Sequence, residues 1–149
     1  MKKASILYFL VFMIISLQAL AQKDSITKKK FHWGKSDSDT TAGYAQAVLV
    51  DNILYISGTV GVGDMDVAVK QVYSGLAQTL KQYGLTFQHV VKENLYTTDI
   101  EAVKQYNHIR KAFYKGDYPA ATWVQISRLY MQQAILEVEL VAHMPKKQD

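Results

Sequence analysis

The sequence predicts one α+β domain in which two amphipathic helices lie on the same side of a mixed β-sheet. In two segments apolar residues recur at spacings of three and four, which is typical of helices with one buried side. Five other segments are short and β-branched or alternate between apolar and polar, as strands do. The chain has 149 residues and no cysteine. Its fold therefore depends on an apolar core and not on disulfides.

Residues 1–21 predict a secretory signal peptide. Two lysines at the start precede an apolar run from Ile6 to Leu17, and Ala19-Leu20-Ala21 has the form of a cleavage site. The run is short for a membrane span of about 20 residues. We therefore expect an exported protein, periplasmic or secreted, with no membrane attachment after cleavage.

Residues 22–42 predict a flexible polar arm, because turn-forming residues dominate and no periodicity is present. The run Lys28–Lys30 indicates a solvated charge cluster, and Phe31 and Trp33 are the residues expected to pack onto the domain. Removing the signal peptide takes away two lysines and no acids, so the formal net charge falls from +4 to +2. So weak a charge does not favour a nucleic-acid partner or a nuclease.

The first half of the domain predicts two strands and a helix. The runs YAQAVLV and ILYISG are strand-like and are joined by a tight turn at Asp51-Asn52. The segment GTVGVGD, Gly58–Asp64, predicts a glycine-rich loop, and it lacks the G-K-[ST] ending of a phosphate-binding loop. Residues 66–83 predict the first helix, which Gly84 ends.

The second half predicts a strand, a helix and two closing strands. VVKENLYT, Val90–Thr97, is the third strand, and the segment Thr98–Glu101 has the form of a capping box that opens the second helix. Pro119 forbids continuation of that helix. The last two strands are predicted at Thr122–Leu129 and Ile135–His143. The predicted buried stripe of the second helix is Ala102, Tyr106, Ile109 and Phe113.

The predicted order is β-β-α-β-α-β-β, which suits a ferredoxin-like or chorismate-mutase-like layer with both helices on one side of the sheet. The other side is then open and needs water or a partner chain. A mixed polar and aromatic surface of this kind suits a subunit interface that contains a pocket. The residues predicted on the open side are Gln46, Trp123, Gln125, Glu137 and Glu139.

The last strand, AILEVELVAH, carries two acids, Glu137 and Glu139, on the side opposite its apolar residues. The simple interpretation is that both acids face water. The alternative is that one lies in a subunit seam, where burial would raise its pKa and fit it for general acid–base chemistry. The four histidines show no metal-ligand spacing, so we expect no metal site, and no G-x-S-x-G elbow supports a serine hydrolase.

Several segments together resemble the RidA (YjgF) family. They are Gly43-Tyr44, YISG, VVKENLYTTDI, Asn107, YPAAT and SRL…LEVELVA, and they occur in the family's order across about Gly43 to Ala142. The resemblance implies a chorismate-mutase-like fold in residues 43–144, with a short tail at 145–149. It also implies a homotrimer with pockets at the subunit seams and hydrolysis of enamines or imines to a keto acid and ammonia, without metal or organic cofactor.

The same resemblance implies the site residues. Glu137 matches the acid that handles the attacking water, and Tyr44, Ser57, Gly58 and Asn107 match pocket positions. Substrate contacts also fall on Ala121, Thr122 and Trp123.

One departure from the family pattern affects substrate binding. Family deaminases have an arginine at the position of Ala121, where it clamps the substrate carboxylate, and Trp123 replaces a small residue. No neighbouring residue in the sequence restores that charge. We therefore expect poor binding of ordinary 2-imino acids and an aromatic pocket of Trp123, Tyr44 and Tyr118 that favours a neutral or cationic planar ligand. The alternative function is a small-molecule-binding or interaction module of the same fold without catalysis.

Overall fold

The computed structural model describes residues 26–33 and 42–145. The predicted signal peptide, residues 1–21, lies outside the described residues, as do most of the predicted arm and all of the predicted tail except Pro145. Within the described ranges, no helix is both long enough and apolar enough to cross a membrane.

Six strands and two helices form one mixed sheet with a helical layer, which confirms the predicted α+β class. The sheet order is β1-β2-β3-β6-β4-β5. Only the β4–β5 pair is parallel, and the other pairs of this sheet are antiparallel. The elements are β1 (Lys29–Phe31), β2 (Ala47–Val50), β3 (Ile53–Val62), α1 (Met65–Gln82), β4 (Val90–Thr97), α2 (Ile100–Tyr114), β5 (Ala120–Gln125) and β6 (Ala134–His143), with a 3₁₀ turn at Phe87–His89.

Strand β3 continues through most of the segment that was predicted to be a loop. Its pairing with β6 shifts register between Ile56 and Thr59 and again near Gly61, so the extra residues are accommodated as bulges. Gly58 and Gly61 therefore serve close packing, whereas Gly63, with a φ of 83°, forms the turn that follows β3. A Cβ at Gly61 would lie 2.6 Å from the backbone oxygen of Ala68, which shows how closely α1 packs on β3.

A short strand forms in the segment predicted as an arm. Phe31 of β1 pairs with Ala47 of β2, and its ring meets those of Trp33 and Tyr83 edge-on, with centroids 5.1 and 6.3 Å apart. The predicted packing of the aromatic residues onto the domain is found for Phe31, while the strand itself was not predicted. The lysines of the run Lys28–Lys30 are exposed.

Helix α2 begins one residue later than predicted and buries a different stripe. Asp99, not Thr98, is its N-cap, and its carboxylate accepts a hydrogen bond from the Ala102 N–H at 3.0 Å. The fully buried residues of α2 are Val103, Arg110 and Tyr114. The four residues of the predicted stripe are half-buried instead, so the prediction was one position out of phase.

Strand β6 lies between β3 and β4 and behaves as its alternation predicts. Leu136, Val138, Leu140 and Ala142 belong to the buried core beneath the helices. Glu137 and Glu139 lie on the other, open side of the sheet and are half-buried. Strand β5 is shorter than predicted, ending at Gln125, and forms the outer edge of the sheet.

Candidate functional site

Glu137 projects from the middle of β6, between Val60 of β3 and Tyr96 of β4. No hydrogen-bond donor of the described residues contacts its carboxylate. Burial raises the pKa of this carboxyl, and the neighbouring charge of Glu139 raises it further. The carboxylate of Glu139, by contrast, accepts hydrogen bonds from Asn94 at 2.7 Å and from Tyr96 at 3.3 Å. Of the two acids, Glu137 is the one with both carboxylate oxygens free of a hydrogen-bond donor among the described residues, so both can accept from a ligand or a water molecule.

A pocket of about 490 Å³ opens in front of this carboxylate. Four of the predicted site residues line it together, Tyr44, Ser57, Gly58 and Glu137, although they come from three separate parts of the chain. The complete lining is Ala42, Tyr44, Ser57, Gly58, Val60, Tyr130, Met131 and Glu137.

The bulge in β3 places Gly58 beside Glu137 and leaves space for its carboxylate. A Cβ at Gly58 would overlap Oε1 of Glu137 and would lie 2.6 Å from its Cδ. Next to this glycine, Ser57 of β3 binds the segment that precedes β2. Its hydroxyl donates to the Ala45 backbone oxygen at 2.7 Å, and its N–H donates to the Gln46 backbone oxygen at 2.9 Å. These bonds hold the adjacent Tyr44 at the mouth of the pocket.

The rim of the pocket is apolar and exposed. Tyr44 is 46% exposed, Tyr130 89% and Met131 38%. Clustered exposed apolar side chains mark a surface that binds a ligand or a partner chain. The pocket is therefore open on the side where another molecule can cover it.

Of the other predicted site residues, Ala121, Thr122 and Trp123 lie on β5, which β4 separates from Glu137 on β6, and Asn107 lies on α2. In the β4–β5 pairing, Glu93 is opposite Ala121, Asn94 is opposite Thr122 and Leu95 is opposite Trp123. Because Leu95 belongs to the buried core, Ala121 and Trp123 lie on the helix side.

Two predictions about this edge are therefore wrong. Trp123 and Gln125 were both placed on the open side, but Trp123 shares the side of Leu95, and Gln125 accepts a hydrogen bond from the Ile100 N–H of α2 at 3.1 Å. The phase of the strand was misread because its short, exposed sequence carries no clear alternation. Thr122 does lie on the open side, where Lys92 donates to its hydroxyl at 2.7 Å.

A buried polar centre around Glu93 was missed by sequence reasoning. This carboxylate is fully buried. It accepts hydrogen bonds from Arg110 Nε at 2.9 and 3.2 Å, from the hydroxyls of Tyr73 and Tyr114 at 3.0 and 2.7 Å, and from Trp123 Nε1 at 3.0 Å. The acid beside Trp123 is thus Glu93 and not Glu137, so within one chain the expected aromatic pocket of Tyr44, Trp123 and Tyr118 does not form.

The charges in this centre stabilise one another. Burial alone would lower the pKa of Arg110, but Glu93 raises it, and the net shift is upward. Burial and the Glu93 charge together raise the pKa of both Tyr73 and Tyr114, so both remain hydroxyl donors at neutral pH. The signal that could have revealed the centre is the position of Glu93, two residues before the core residue Leu95, where a charge needs a buried partner.

Within residues 26–33 and 42–145, no three histidine, aspartate or glutamate side chains are grouped as a metal site would require.

Comparison with known proteins places these features in a family context. The family model described as endoribonuclease L-PSP matches residues 35–144. A human protein named 2-iminobutanoate/2-iminopropanoate deaminase is 34% identical over 108 residues, covering 66% of this chain and 78% of the human protein. A rat protein of the same name is 32% identical over 127 residues, covering 79% of this chain and 91% of the rat protein.

Solved structures show the same fold. A YjgF-family protein from Mycobacterium tuberculosis matches with a TM-score of 0.72 at 23% identity, covering 79% of this chain and 100% of that one. A Rid-family protein from Yersinia pestis matches with a TM-score of 0.70 at 26% identity, again covering 79% of this chain and 100% of the other.

Proposed function

Because the chain belongs to the endoribonuclease L-PSP family, also known as RidA or YjgF, we propose that it hydrolyses small enamines or imines at the Glu137 pocket. The relatives named 2-iminobutanoate/2-iminopropanoate deaminase support this reaction class. The observation that carries the proposal is the Glu137 carboxylate itself: it faces a pocket, lacks a hydrogen-bond donor among the described residues and has a raised pKa.

The reaction needs one group that takes and returns a proton. Ionised Glu137 accepts a proton from a water molecule as the water oxygen bonds to the carbon of the C=N group. The protonated carboxyl then gives its proton to the nitrogen, which leaves a carbinolamine. Glu137 takes the hydroxyl proton of this intermediate and passes it to the nitrogen as the C–N bond breaks, so that a carbonyl compound and ammonia leave. A pKa raised towards the working pH suits a group that must act as base and then as acid.

We propose that the working protein is a homotrimer with its open sheet sides facing inward. The half-buried acids of β6 and the exposed rim of Tyr44, Tyr130 and Met131 support this arrangement, because a partner chain would cover both. A second chain would also bring its β5 edge, with Asn107, Ala121 and Trp123, towards the Glu137 pocket of the first. The site would then lie at the seam between subunits.

The substrate is proposed to differ from the small 2-imino acids for which the relatives are named. Ala121 cannot supply the bidentate arginine contact that the family resemblance implies at that position. Removing one partner of a desolvated charge pair typically costs about 2 to 5 kcal/mol, or roughly 30-fold to several thousand-fold in affinity. The same residue favours the second candidate, a binding module without catalysis.

The proposed place of action is outside the cytoplasm, periplasmic or secreted. The sequence pattern of residues 1–21 supports export, with cleavage after Ala21.

The test is direct measurement of imine hydrolysis. Imines are generated from several amino acids with an amino acid oxidase, and neutral and cationic imines are added as separate substrates. Accelerated ammonia release by the wild type, lost in Glu137→Gln and kept in Glu139→Gln, is the expected result. Equal rates for wild type and Glu137→Gln on every substrate would exclude catalysis by Glu137. Saturable ligand binding without turnover would then support the binding module.

A further inference from the structure

The guanidinium of Arg110 is buried, yet most of its hydrogen-bonding capacity is unused. Only its Nε donates to Glu93, so the four N–H groups on its two Nη atoms have no partner among the described residues. The one buried side-chain nitrogen or oxygen without a partner in this part of the chain is Oδ1 of Asn107. The Nη groups of Arg110 therefore reach solvent, through the 6% of the residue that remains accessible.

Aromatic rings hold this guanidinium in place. Its Cζ lies 4.7 Å from the ring centroid of Tyr114, 5.1 Å from that of Trp123 and 5.9 Å from that of Tyr118. Trp123 is fixed in turn by its own hydrogen bond to Glu93. Because the side chain of Arg110 is already ordered, the binding of a ligand to it costs little side-chain conformational entropy.

The opening lies where β5 contributes a small side chain. Ala121 is exposed and pairs in register with Glu93, so only a methyl group stands beside the ion pair at the outer strand of the sheet. Tyr118, just before β5, is half exposed and forms one wall.

We propose that Arg110, with Trp123 and Tyr118 as walls, binds a small planar monoanionic carboxylate at the β5 edge. The two Nη groups match a carboxylate in a bidentate geometry, and the ring faces suit a planar organic body. Glu93 balances the arginine charge, which makes the site less suited to a doubly charged phosphate. The assignment rests on the proposed function only in identifying this carboxylate with that of a planar imine substrate. Arg110 would then supply the positive charge that Ala121 lacks, which revises the preference for neutral or cationic ligands predicted from Ala121 alone.

Asn107 lies one helical turn before Arg110, on the same side of α2. Its Oδ1 is buried and has no hydrogen-bond donor among the described residues. Such groups are rare in folded proteins and are commonly explained by a missing partner.

The test is calorimetric titration of the purified protein with benzoate, with its neutral isostere benzamide and with inorganic phosphate. We expect saturable binding of benzoate, at least about tenfold tighter than benzamide or phosphate, which corresponds to about 1.4 kcal/mol. Glu93→Gln/Arg110→Gln removes both charges together, so that no buried charge is left alone, and should abolish the preference for benzoate. Arg110→Lys keeps the positive charge but cannot form two parallel hydrogen bonds to a carboxylate, so it should weaken benzoate binding about tenfold. Arg128→Gln is the matched control and should bind as wild type does.

Absence of saturable benzoate binding, or a benzoate preference that survives in the double variant, would overturn the proposal. Should the double variant fail to fold, an unchanged affinity in Arg110→Lys overturns it equally well. Glu137→Gln separates the two proposals: retained benzoate binding with lost turnover supports both, whereas retained turnover in that variant removes the proposed reaction and leaves the anion site standing.

Discussion

The carboxylate of Glu137 occupies the space that a side chain at position 58 would need. Oε1 of Glu137 would overlap a Cβ on Gly58, and Cγ would lie only 2.8 Å from it. The β3 bulge and the acid of β6 are therefore coupled: the acid can stand in the pocket because the neighbouring strand has no side chain there.

Gly58→Ala should accordingly displace the carboxylate while leaving the fold intact, since the overlapping atoms are the end of a flexible side chain. A displacement of about 1 Å can cost on the order of 100-fold in rate. We expect a loss of that size in kcat/KM for imine hydrolysis, with a small change in melting temperature. Gly58→Ala/Glu137→Ala is the control and should be no slower than Glu137→Ala alone. Wild-type activity in Gly58→Ala would contradict the coupling.

The raised pKa of Glu137 predicts the pH dependence of stability. A carboxyl whose pKa is higher in the folded than in the unfolded chain stabilises the fold most below its unfolded pKa, about 4.3. That contribution is lost as the pH rises through the folded pKa. Glu137→Gln should therefore gain stability relative to wild type between pH 4 and pH 7, as measured by urea denaturation at each pH. A difference that is constant over this range would show that the carboxyl titrates normally.

The same shift predicts the pH dependence of the reaction. Because the base form of Glu137 is required, kcat should rise with pH through the raised pKa. Glu139→Gln removes the negative charge that contributes to the shift but retains an oxygen that accepts from Tyr96. The rise in kcat should therefore move to lower pH in this variant. A pH profile unchanged by Glu139→Gln would rule out Glu137 as the titrating base.

Assembly through the open side can be tested with one residue of β3. Tyr55 is 48% exposed on this side, opposite Val141 of β6. In a trimer whose open sides face inward, Tyr55→Asp would bury a carboxylate without a counter-ion in the interface and should dissociate the trimer to monomers in sedimentation experiments. Gln78→Asp, on the exposed side of α1, is the control and should leave the mass unchanged. If the wild-type protein sediments as a monomer, the proposed site cannot lie between subunits.

The sequence predicted the parts of the fold that carry strong periodicity. The alternation of β6 placed its apolar residues in the core and its acids on the open side, and the spacing of α1 placed that helix within one residue of its observed ends. The bounds of β4 agree with the prediction as well. In these elements local pattern and tertiary packing favour the same structure.

The errors fall where pattern and packing differ. The stripe predicted for α2 followed its apolar residues, but the side that is fully buried carries Arg110, because Glu93 of β4 supplies a charge for it to meet. No local rule relates residues 93 and 110, which become neighbours only when the helix packs on the sheet. The phase of β5 was wrong for a similar reason, since a strand edge with small and exposed residues contains little pattern to read.

The Glu93 centre leads to a last prediction, about stability. Glu93→Ala would leave Arg110 buried without its counter-ion and three donors, Tyr73, Tyr114 and Trp123, without an acceptor. Breaking a buried pair by removing one partner costs about 3 to 5 kcal/mol, whereas replacing both partners with apolar residues of similar volume is often neutral. In urea denaturation we therefore expect a loss of that size for Glu93→Ala and a much smaller one for Glu93→Met/Arg110→Met. Equal losses in the two variants would mean that the hydroxyl and indole hydrogen bonds, and not the charge pair, hold the centre together.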